Sequence, residues 1–262
     1  MSTRFSTLLI LLLMPAAAVA HFGVTLPSTD IIMAGDNRTL NVQVKFIHPT
    51  EGHYMEMEQP RRFGVLVRGQ SHDLLPTLSA TKGRGAEQQQ DFHFWSADYT
   101  IQRPGDHTFF VEPAPYWEAA EDLFIVHYTK VCVHALGLEQ GWNEPVGLET
   151  EIIPLTRPYG LWSGNLFSGK VLLKGKPAPH ASVEVEYLNE RAVNGTIHPP
   201  SAPYVTQVVT ADGNGIFHYA LPKAGWWGFS ALSEADWTLK HDGVEKAVEI
   251  GAVYWVQARD ID

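Results

Sequence analysis

The chain has little cysteine and little positive charge. It contains one cysteine, Cys132, so no internal disulfide can form. Lysine and arginine total 19 against 29 aspartates and glutamates, which gives a formal net charge of -10. This acidic balance argues against nucleic acid as a partner, because nucleic acid requires a basic surface, and it favours the attraction of cations. Cys132 lies in an apolar run and is predicted to be a buried hydrophobe rather than a thiolate ligand.

The sequence also lacks the motifs of several enzyme classes. It has no Gly-x-Ser-x-Gly elbow, no phosphate-binding loop and no dinucleotide fingerprint. A hydrolase with paired carboxylates stays open, because a sequence does not give the separation of carboxyl groups. We therefore predict a binding protein rather than an enzyme.

Long apolar runs are confined to the N-terminus. Arg4 precedes the apolar residues 8–14, and the segment ends at Ala18-Val-Ala20. This pattern predicts a secretory signal peptide, residues 1–20, cleaved after Ala20. Cleavage leaves 262 − 20 = 242 residues and removes Arg4, so the net charge becomes −10 − 1 = −11. We expect the mature chain not to span a membrane and, since it lacks disulfides, to be periplasmic.

The pattern of hydrophobic residues is typical of strands. Leu40, Val42, Val44 and Phe46 alternate with polar residues, and similar short runs recur between Gly, Pro, Asn and Asp. Short helices are predicted only near Ser71–Ala80 and Tyr116–Ala120. The fold class is therefore predicted to be all-β, with two β-sandwich domains.

A domain boundary is predicted near residues 153–160. Two prolines, Pro154 and Pro158, interrupt this segment and disfavour a continuous strand or helix. Residues 21–156 are assigned to an N-terminal metal-binding β-sandwich, and residues 157–262 to a C-terminal β-sandwich.

The predicted cleavage makes His21 the first mature residue. A free α-amino group and the Nδ1 atom of the same histidine can close a chelate ring on a metal ion. Nitrogen donors of this kind suit Ni, Co, Cu and Zn. The alternative is that a histidine follows the cleavage site by chance.

A second group of metal-binding residue types lies in residues 46–58. His48 continues the alternating series of the preceding strand and is predicted to point inward, where its imidazole needs a partner. His53 follows a glycine on a turn, and Glu56 lies among two methionines and further glutamates. The alternative is a strand with its methionines in the core and its glutamates in solvent.

His127 lies in the middle of a strand-like run, between Val126 and Tyr128. A histidine in such a run is more often a core residue with its hydrogen bonds satisfied than a metal ligand. The other histidines occur singly and are interpreted as surface or structural residues. No spacing here is as specific as that of a zinc finger.

Several segments resemble one family. They are Gly52-His-Tyr-Met-Glu-Met-Glu58, Arg103-Pro-Gly-Asp106, Phe110-Val-Glu-Pro113, Pro115-Tyr-Trp117, His127-Tyr-Thr-Lys130 and Pro154-Leu-Thr-Arg-Pro-Tyr-Gly160. Together they look like the DUF4198 family and, within it, the periplasmic accessory component of energy-coupling-factor nickel and cobalt transporters. The second domain also looks like a carboxypeptidase-regulatory, transthyretin-like sandwich.

This resemblance implies capture of Ni²⁺ or Co²⁺ outside the cytoplasm and delivery to a membrane-embedded permease. It implies His21, His48 and His53 as ligands, with Glu56 and His127 as further candidates.

Two other functions compete with the carrier. A mature N-terminal histidine beside a second histidine also resembles the copper site of copper monooxygenases, so Cu²⁺ is the alternative metal. Trp226 and Trp227 could stack on a sugar in an adhesion or carbohydrate-binding module, although core packing is the stronger interpretation. Affinity rises from Co to Ni to Cu at most sites, so the residue types do not select the native metal.

Overall fold

The computed structural model describes residues 20–189 and 197–261. The predicted signal peptide, apart from Ala20, lies outside the described residues. The strands are β1 (Phe22–Pro27), β2 (Ile31–Ile32), β3 (Thr39–His48), β4 (His53–Tyr54), β5 (Arg62–Val67), β6 (Gln70–Asp73), β7 (Ser79–Gly83), β8 (Phe92–Thr100), β9 (Gly105–Glu112), β10 (Tyr116–Glu118), β11 (Leu123–Ala135), β12 (Thr150–Pro154), β13 (Leu161–Trp162), β14 (Leu166–Leu173), β15 (Lys176–Pro177), β16 (Ser182–Tyr187), β17 (Gln207–Thr210), β18 (Ile216–Ala220), β19 (Gly225–Glu234), β20 (Leu239–His241), β21 (Val244–Lys246) and β22 (Val248–Arg259).

Helix is limited to two short 3₁₀ turns, Leu75–Thr77 and Ala202–Tyr204, in the described part of the chain. The all-β, sandwich-type fold predicted from the alternating pattern is therefore confirmed. The described residues contain no helix with the length and hydrophobicity needed to cross a lipid bilayer.

One long sheet forms the middle of the structure. Its strands follow the order β17-β16-β19-β22-β11-β9-β5-β6, and β2, β10 and β13 pair along its sides. A smaller sheet with the order β1-β3-β8-β7 carries β4 on β3, and a third sheet contains β12, β14, β15 and β18. We call these the central, first and third sheets.

The central strands bury both of their faces. In β11 and β22 the odd-numbered side chains pack with the first sheet, namely Val131, Val133, Val253 and Trp255. The even-numbered ones pack with the third sheet, namely Cys132, Ala252, Tyr254 and Val256. Since successive side chains of a strand point to opposite faces, one strand contributes to two cores. A strand buried on both sides is largely hydrophobic, and the buried exceptions in β11 include His127, Lys130 and His134.

The parallel pairing of β11 with β22 joins the two predicted domains. Phe124 lies opposite Val248, and the ladder continues to Val131 opposite Trp255. Residues 21–156 and 157–262 therefore share one sheet, and their independence as domains stays a prediction.

The prediction of a helix at Tyr116–Ala120 was wrong. Residues 116–118 form β10, which pairs antiparallel with β11 from Tyr116 opposite Ile125 to Glu118 opposite Leu123. Within Ser71–Ala80 only Leu75–Thr77 is helical, as a single 3₁₀ turn. Cys132 is a free, buried cysteine, as predicted, and Trp226 and Trp227 are buried in the core.

Two glycines let His127 lie close to neighbouring backbones. His127 pairs with Gly251 across the parallel ladder, and a Cβ atom on Gly251 would lie 2.5 Å from Cδ2 of its imidazole. A Cβ atom on Gly23 in β1 would lie 2.3 Å from Oγ1 of Thr129 and 3.2 Å from Cβ of His127. The imidazole therefore occupies space that only glycine leaves open, on the face that meets the first sheet.

This contact predicts the effect of Gly251→Ala. The added methyl group would overlap the imidazole, and overpacking of this kind typically costs about 1–3 kcal/mol of unfolding free energy. Urea denaturation would measure the loss. The matched control is Gly213→Ala, because a Cβ atom there meets nothing within 4 Å. Adding His127→Ala to Gly251→Ala should recover part of the loss. Equal stability of the two glycine variants would contradict the placement of His127.

Candidate metal site

Three of the predicted ligands form a row across neighbouring strands. In the pairing of β1 with β3, Phe22 lies opposite Ile47, so the next step places His21 opposite His48. His48 in turn pairs with His53 of β4. The ring centroids of His21 and His48 are 4.6 Å apart, edge to face. Directly paired residues point to the same face of a sheet, and the three imidazoles therefore lie side by side. We call His21, His48 and His53 the histidine row.

The carboxylate of Glu51 lies at the outer end of the row, which is the more exposed end and contains His53. The Nδ1 atoms of His48 and His53 lie 3.3 and 3.6 Å from Oε2 of Glu51. One potential ligand atom from each of these three residues lies within 4.8 Å of the others. The turn that brings them together depends on Gly52, whose φ of 68° is left-handed and therefore favours glycine. The N–H of Gly52 donates to the carbonyl of His48 at 2.8 Å.

A second carboxylate holds the inner end of the row. Oε2 of Glu118 in β10 lies 2.9 Å from Nε2 of His21. A carboxylate on one ring nitrogen fixes the orientation of the imidazole and directs the other nitrogen to a ligand. Here the nitrogen that remains is Nδ1, which is the one that can form a chelate ring with the backbone nitrogen of His21.

His127 approaches the row from the central sheet. Phe46 links them, with ring centroids 5.7 Å from His21 and 5.9 Å from His127. The His127 side chain is 1% exposed, and neither ring nitrogen has a hydrogen-bond partner among the described residues. Its nearest charged atom is Oε1 of Glu249, 3.6 Å from Nε2. The expectation that such a histidine would satisfy its hydrogen bonds in the core is therefore wrong for His127.

Burial favours the uncharged form of His21 and His48. Desolvation lowers the pKa of His21 to about 4, and the nearby His48 and His127 lower it further while Glu118 opposes the shift. Desolvation also lowers the pKa of His48, against the opposing effect of Glu51. The Nε2 atom of His48 is buried without a hydrogen-bond partner among the described residues. Neutral imidazoles with unused lone pairs are the form in which histidine binds metal.

Carboxylates concentrate beside His21 and His127. Burial, Glu249 and Glu118 raise the pKa of Glu121. Burial, followed by Glu249 and Glu121, raises the pKa of Glu184 to about 7. Burial is the larger cause of both shifts, and repulsion between these neighbouring carboxylates adds to it. A bound cation would relieve this repulsion.

Glu56, another predicted ligand, contacts His93 and not the histidine row. Its carboxylate lies 2.6 Å from Nδ1 of His93 and accepts the backbone N–H of His93 at 3.0 Å. That backbone hydrogen bond, opposed by partial burial and supported by the His93 side chain, lowers the pKa of Glu56. No described contact joins Glu56 to the histidine row. It does line a cavity of about 310 Å³ whose wall includes His127.

Three acidic residues at the site were missing from the sequence-based ligand set. Glu51 follows His48 by three residues in a turn, and this local spacing was a usable signal. Glu118 was not considered as a ligand because its segment was incorrectly predicted to be a helix. Glu249 is brought to His127 only by the parallel pairing of β11 with β22, which no local pattern indicates.

The arrangement offers nitrogen donors from imidazoles and oxygen donors from carboxylates. The one cysteine, Cys132, points to the opposite face of the central sheet, with the third sheet. A set of imidazole and carboxylate donors without thiolate suits borderline divalent ions such as Ni²⁺, Co²⁺, Cu²⁺ and Zn²⁺. The residues therefore fit a transition metal.

Solved structures similar to this chain have low sequence identity. The adhesin InvE of Yersinia pseudotuberculosis is 12% identical with a TM-score of 0.22, over 88% of this chain and 58% of that one. An α2-macroglobulin of Salmonella is 11% identical with a TM-score of 0.26, over 90% of this chain and 15% of that one. The D00-D0 domain of intimin is 11% identical with a TM-score of 0.20, over 89% and 99%. Similarities this weak carry no argument about function.

Curated proteins give no match to this chain. A family model does match, over residues 18–235, and its description is a domain of unknown function, DUF4198. The match covers both predicted sandwiches up to the end of β19 and includes the histidine row, and it confirms the family resemblance seen in the sequence. The chain belongs to the DUF4198 family.

Proposed function

We propose that the protein binds a divalent transition metal, Ni²⁺ or Co²⁺, outside the cytoplasm and delivers it to a membrane-embedded permease. The observation that supports this most directly is the histidine row, in which the residue after the predicted cleavage site lies beside a half-buried imidazole at 4.6 Å. The uncharged state of His21 and the carboxylates around it support the same function.

Signal peptide cleavage is the step that completes the site. An amide nitrogen is a poor ligand at neutral pH, whereas an α-amine with a pKa near 8 releases its proton to a metal readily. Because Glu118 occupies Nε2 of His21, the new amine and Nδ1 can close the chelate ring together. His48 then adds a third nitrogen from the neighbouring strand.

The two ends of the row suit a carrier, which must also release its metal. The outer end is accessible, with the side chains of His53 and Glu51 exposed by 39% and 37%. The inner end is enclosed, with His21 and Glu118 exposed by 11% and 15%. A metal ion captured by His53 and Glu51 can move inward through His48 and leave by the same route.

Calorimetry on correctly processed protein tests the proposal. Residues 21–262 with a free His21 amine should bind Ni²⁺ at one saturable site. Retaining Ala20 should weaken binding by roughly tenfold or more, because it removes the chelate ring, and His48→Ala or His53→Ala should each cost about as much. The control is His218→Ala, since His218 contacts Ser168 in the third sheet, and it should bind as the native protein does.

Two results would overturn the proposal. If no saturable binding of Ni²⁺, Co²⁺, Cu²⁺ or Zn²⁺ is measured, the protein is not a metal carrier, and the adhesion or carbohydrate-binding module becomes the better account. If the protein that retains Ala20 binds as tightly as the processed form, the amine of His21 is not a ligand.

A copper enzyme is the second function that the site supports, because an N-terminal histidine adjacent to another imidazole also suits Cu²⁺. The carrier requires only reversible binding, so copper-loaded, reduced protein should neither consume oxygen above the rate of free copper nor release hydrogen peroxide. An oxygen electrode and a peroxide assay measure this. Sustained turnover that is lost in His48→Ala would favour the enzyme over the carrier.

A further inference from the structure

A second pocket lies far from the histidine row. It has a volume of about 500 Å³ and is lined by Val67, Arg68, Gln70, His72, Leu74, Tyr99, Gln102, Arg103 and His107. Tyr99 pairs with Leu40 near the start of β3, whereas His48 is the last residue of that strand. The rise of an extended strand puts the two sites roughly 25 Å apart. The pocket is therefore separate from the candidate metal site.

The charge of this pocket is opposite to that of the protein as a whole. Its lining contains two arginines and two histidines and no aspartate or glutamate, in a chain with a net charge of -10. The carboxylate of Glu144 approaches the adjoining turn, 3.9 Å from the position of a Cβ atom on Gly69. It makes no ion pair with a described arginine.

The two arginines have no carboxylate partner among the described residues. Four other arginines do pair with carboxylates, namely Arg62 with Glu112, Arg84 with Asp91, Arg157 with Glu139 and Arg259 with Asp30, whereas Arg38 and Arg61 are exposed and also form no ion pair with a described residue. Arg68 and Arg103 form no ion pair or side-chain hydrogen bond with any described residue. Two arginines that line one cavity from different turns, without a carboxylate partner, create a site for an anion.

The backbone holds Arg68 at the edge of the pocket. Arg68 lies in the turn between β5 and β6 with a left-handed φ of 50°. Its Cγ and Cδ atoms lie 3.5 and 3.8 Å from the position of a Cβ atom on Gly105. The aliphatic part of the side chain therefore packs against the start of β9, and this contact restricts where the guanidinium can lie.

The remaining walls suit an organic ligand. Tyr99 packs edge to face against His107, with ring centroids 5.8 Å apart, and Val67 and Leu74 add aliphatic surface. The Nδ1 atom of buried His107 lies 3.1 Å from the carbonyl of Gly105. A concave site of this volume, with an apolar wall and a few polar groups, is typical of small-molecule binding.

We propose that this pocket binds a small organic anion that carries carboxylate or phosphate groups. Arg68 and Arg103 contact the anionic groups, Gln70 and Gln102 supply further hydrogen bonds, and Tyr99 with Leu74 contacts the carbon skeleton. This site does not depend on metal binding at the histidine row.

Calorimetry with metal-free protein, residues 21–262, tests this site. Citrate represents carboxylates and glycerol 3-phosphate represents phosphates, and whichever binds identifies the source of the anionic group. At least one should bind saturably, and the double variant Arg68→Gln with Arg103→Gln should weaken it by about tenfold or more, since hydrogen bonds to charged groups are lost. His48→Ala should bind the anion as the native protein does, which separates this result from the metal site.

The matched control is Arg61→Gln, because Arg61 is also exposed and forms no ion pair with a described residue, but it precedes the start of β5, at the far end of that strand from Val67 in the pocket. It should change the affinity by less than about twofold, as a screened distant charge does. Thermal melting of each variant confirms that it is folded. An equal loss in Arg61→Gln would show general charge attraction and overturn the site. So would the absence of saturable binding of either anion up to about 10 mM, the range of very weak affinity.

Discussion

The register of β1 against β3 is the constraint on which the candidate site depends. Phe22 opposite Ile47 is what brings His21 alongside His48. A shift of one residue would turn every side chain of β1 to the other face of the sheet, and His21 would then no longer point the same way as His48. Both faces of β1 are buried. A shift of one residue would also put a side chain in the place of Gly23, where a Cβ atom would overlap Oγ1 of Thr129, and this close packing fixes the register that the metal site requires.

The central sheet completes the site by burying both faces of its strands. The same alternation that sends Cys132 toward the third sheet sends His127 toward the first sheet and its histidines. Gly251 allows the backbone of β22 to approach the His127 imidazole, and Gly23 allows the backbone of β1 to approach Thr129 and Cβ of His127. The result is a buried imidazole with neither nitrogen paired to a described residue, which is costly unless a ligand occupies the site.

The sequence was sufficient to predict the features that depend on the local pattern of residues. The alternation from Leu40 to Phe46 predicted a strand with His48 at its inward-facing end, and the glycine before His53 predicted a turn. The structure confirms both. The sequence was insufficient where pairing is non-local. Residues 116–118 are a different case, because Tyr116 and Trp117 favour a strand and β10 pairs with the next strand, β11. The helix prediction there was an error of local interpretation, and Glu118 was missed for that reason.

Non-local pairing also explains why the sequence did not predict the central sheet or the contact of Glu56 with His93. Parallel pairing between β11 and β22 joins segments far apart in the chain. A hydrophobic run predicts a strand, but it does not predict which strand pairs with it. Glu56 was grouped with the histidines by proximity in sequence, but the next strand of the first sheet brings His93 to it instead. Local proximity is therefore a weaker guide to ligands than the register of a strand.

The most direct measurement of the central claim is a crystal structure of nickel-loaded protein that begins at His21, with the ion located by its anomalous scattering. The account predicts one nickel ion bonded to the backbone nitrogen and Nδ1 of His21 and to an imidazole nitrogen of His48. An ion bound without the backbone nitrogen of His21, or only at the pair formed by Glu56 and His93, would contradict it.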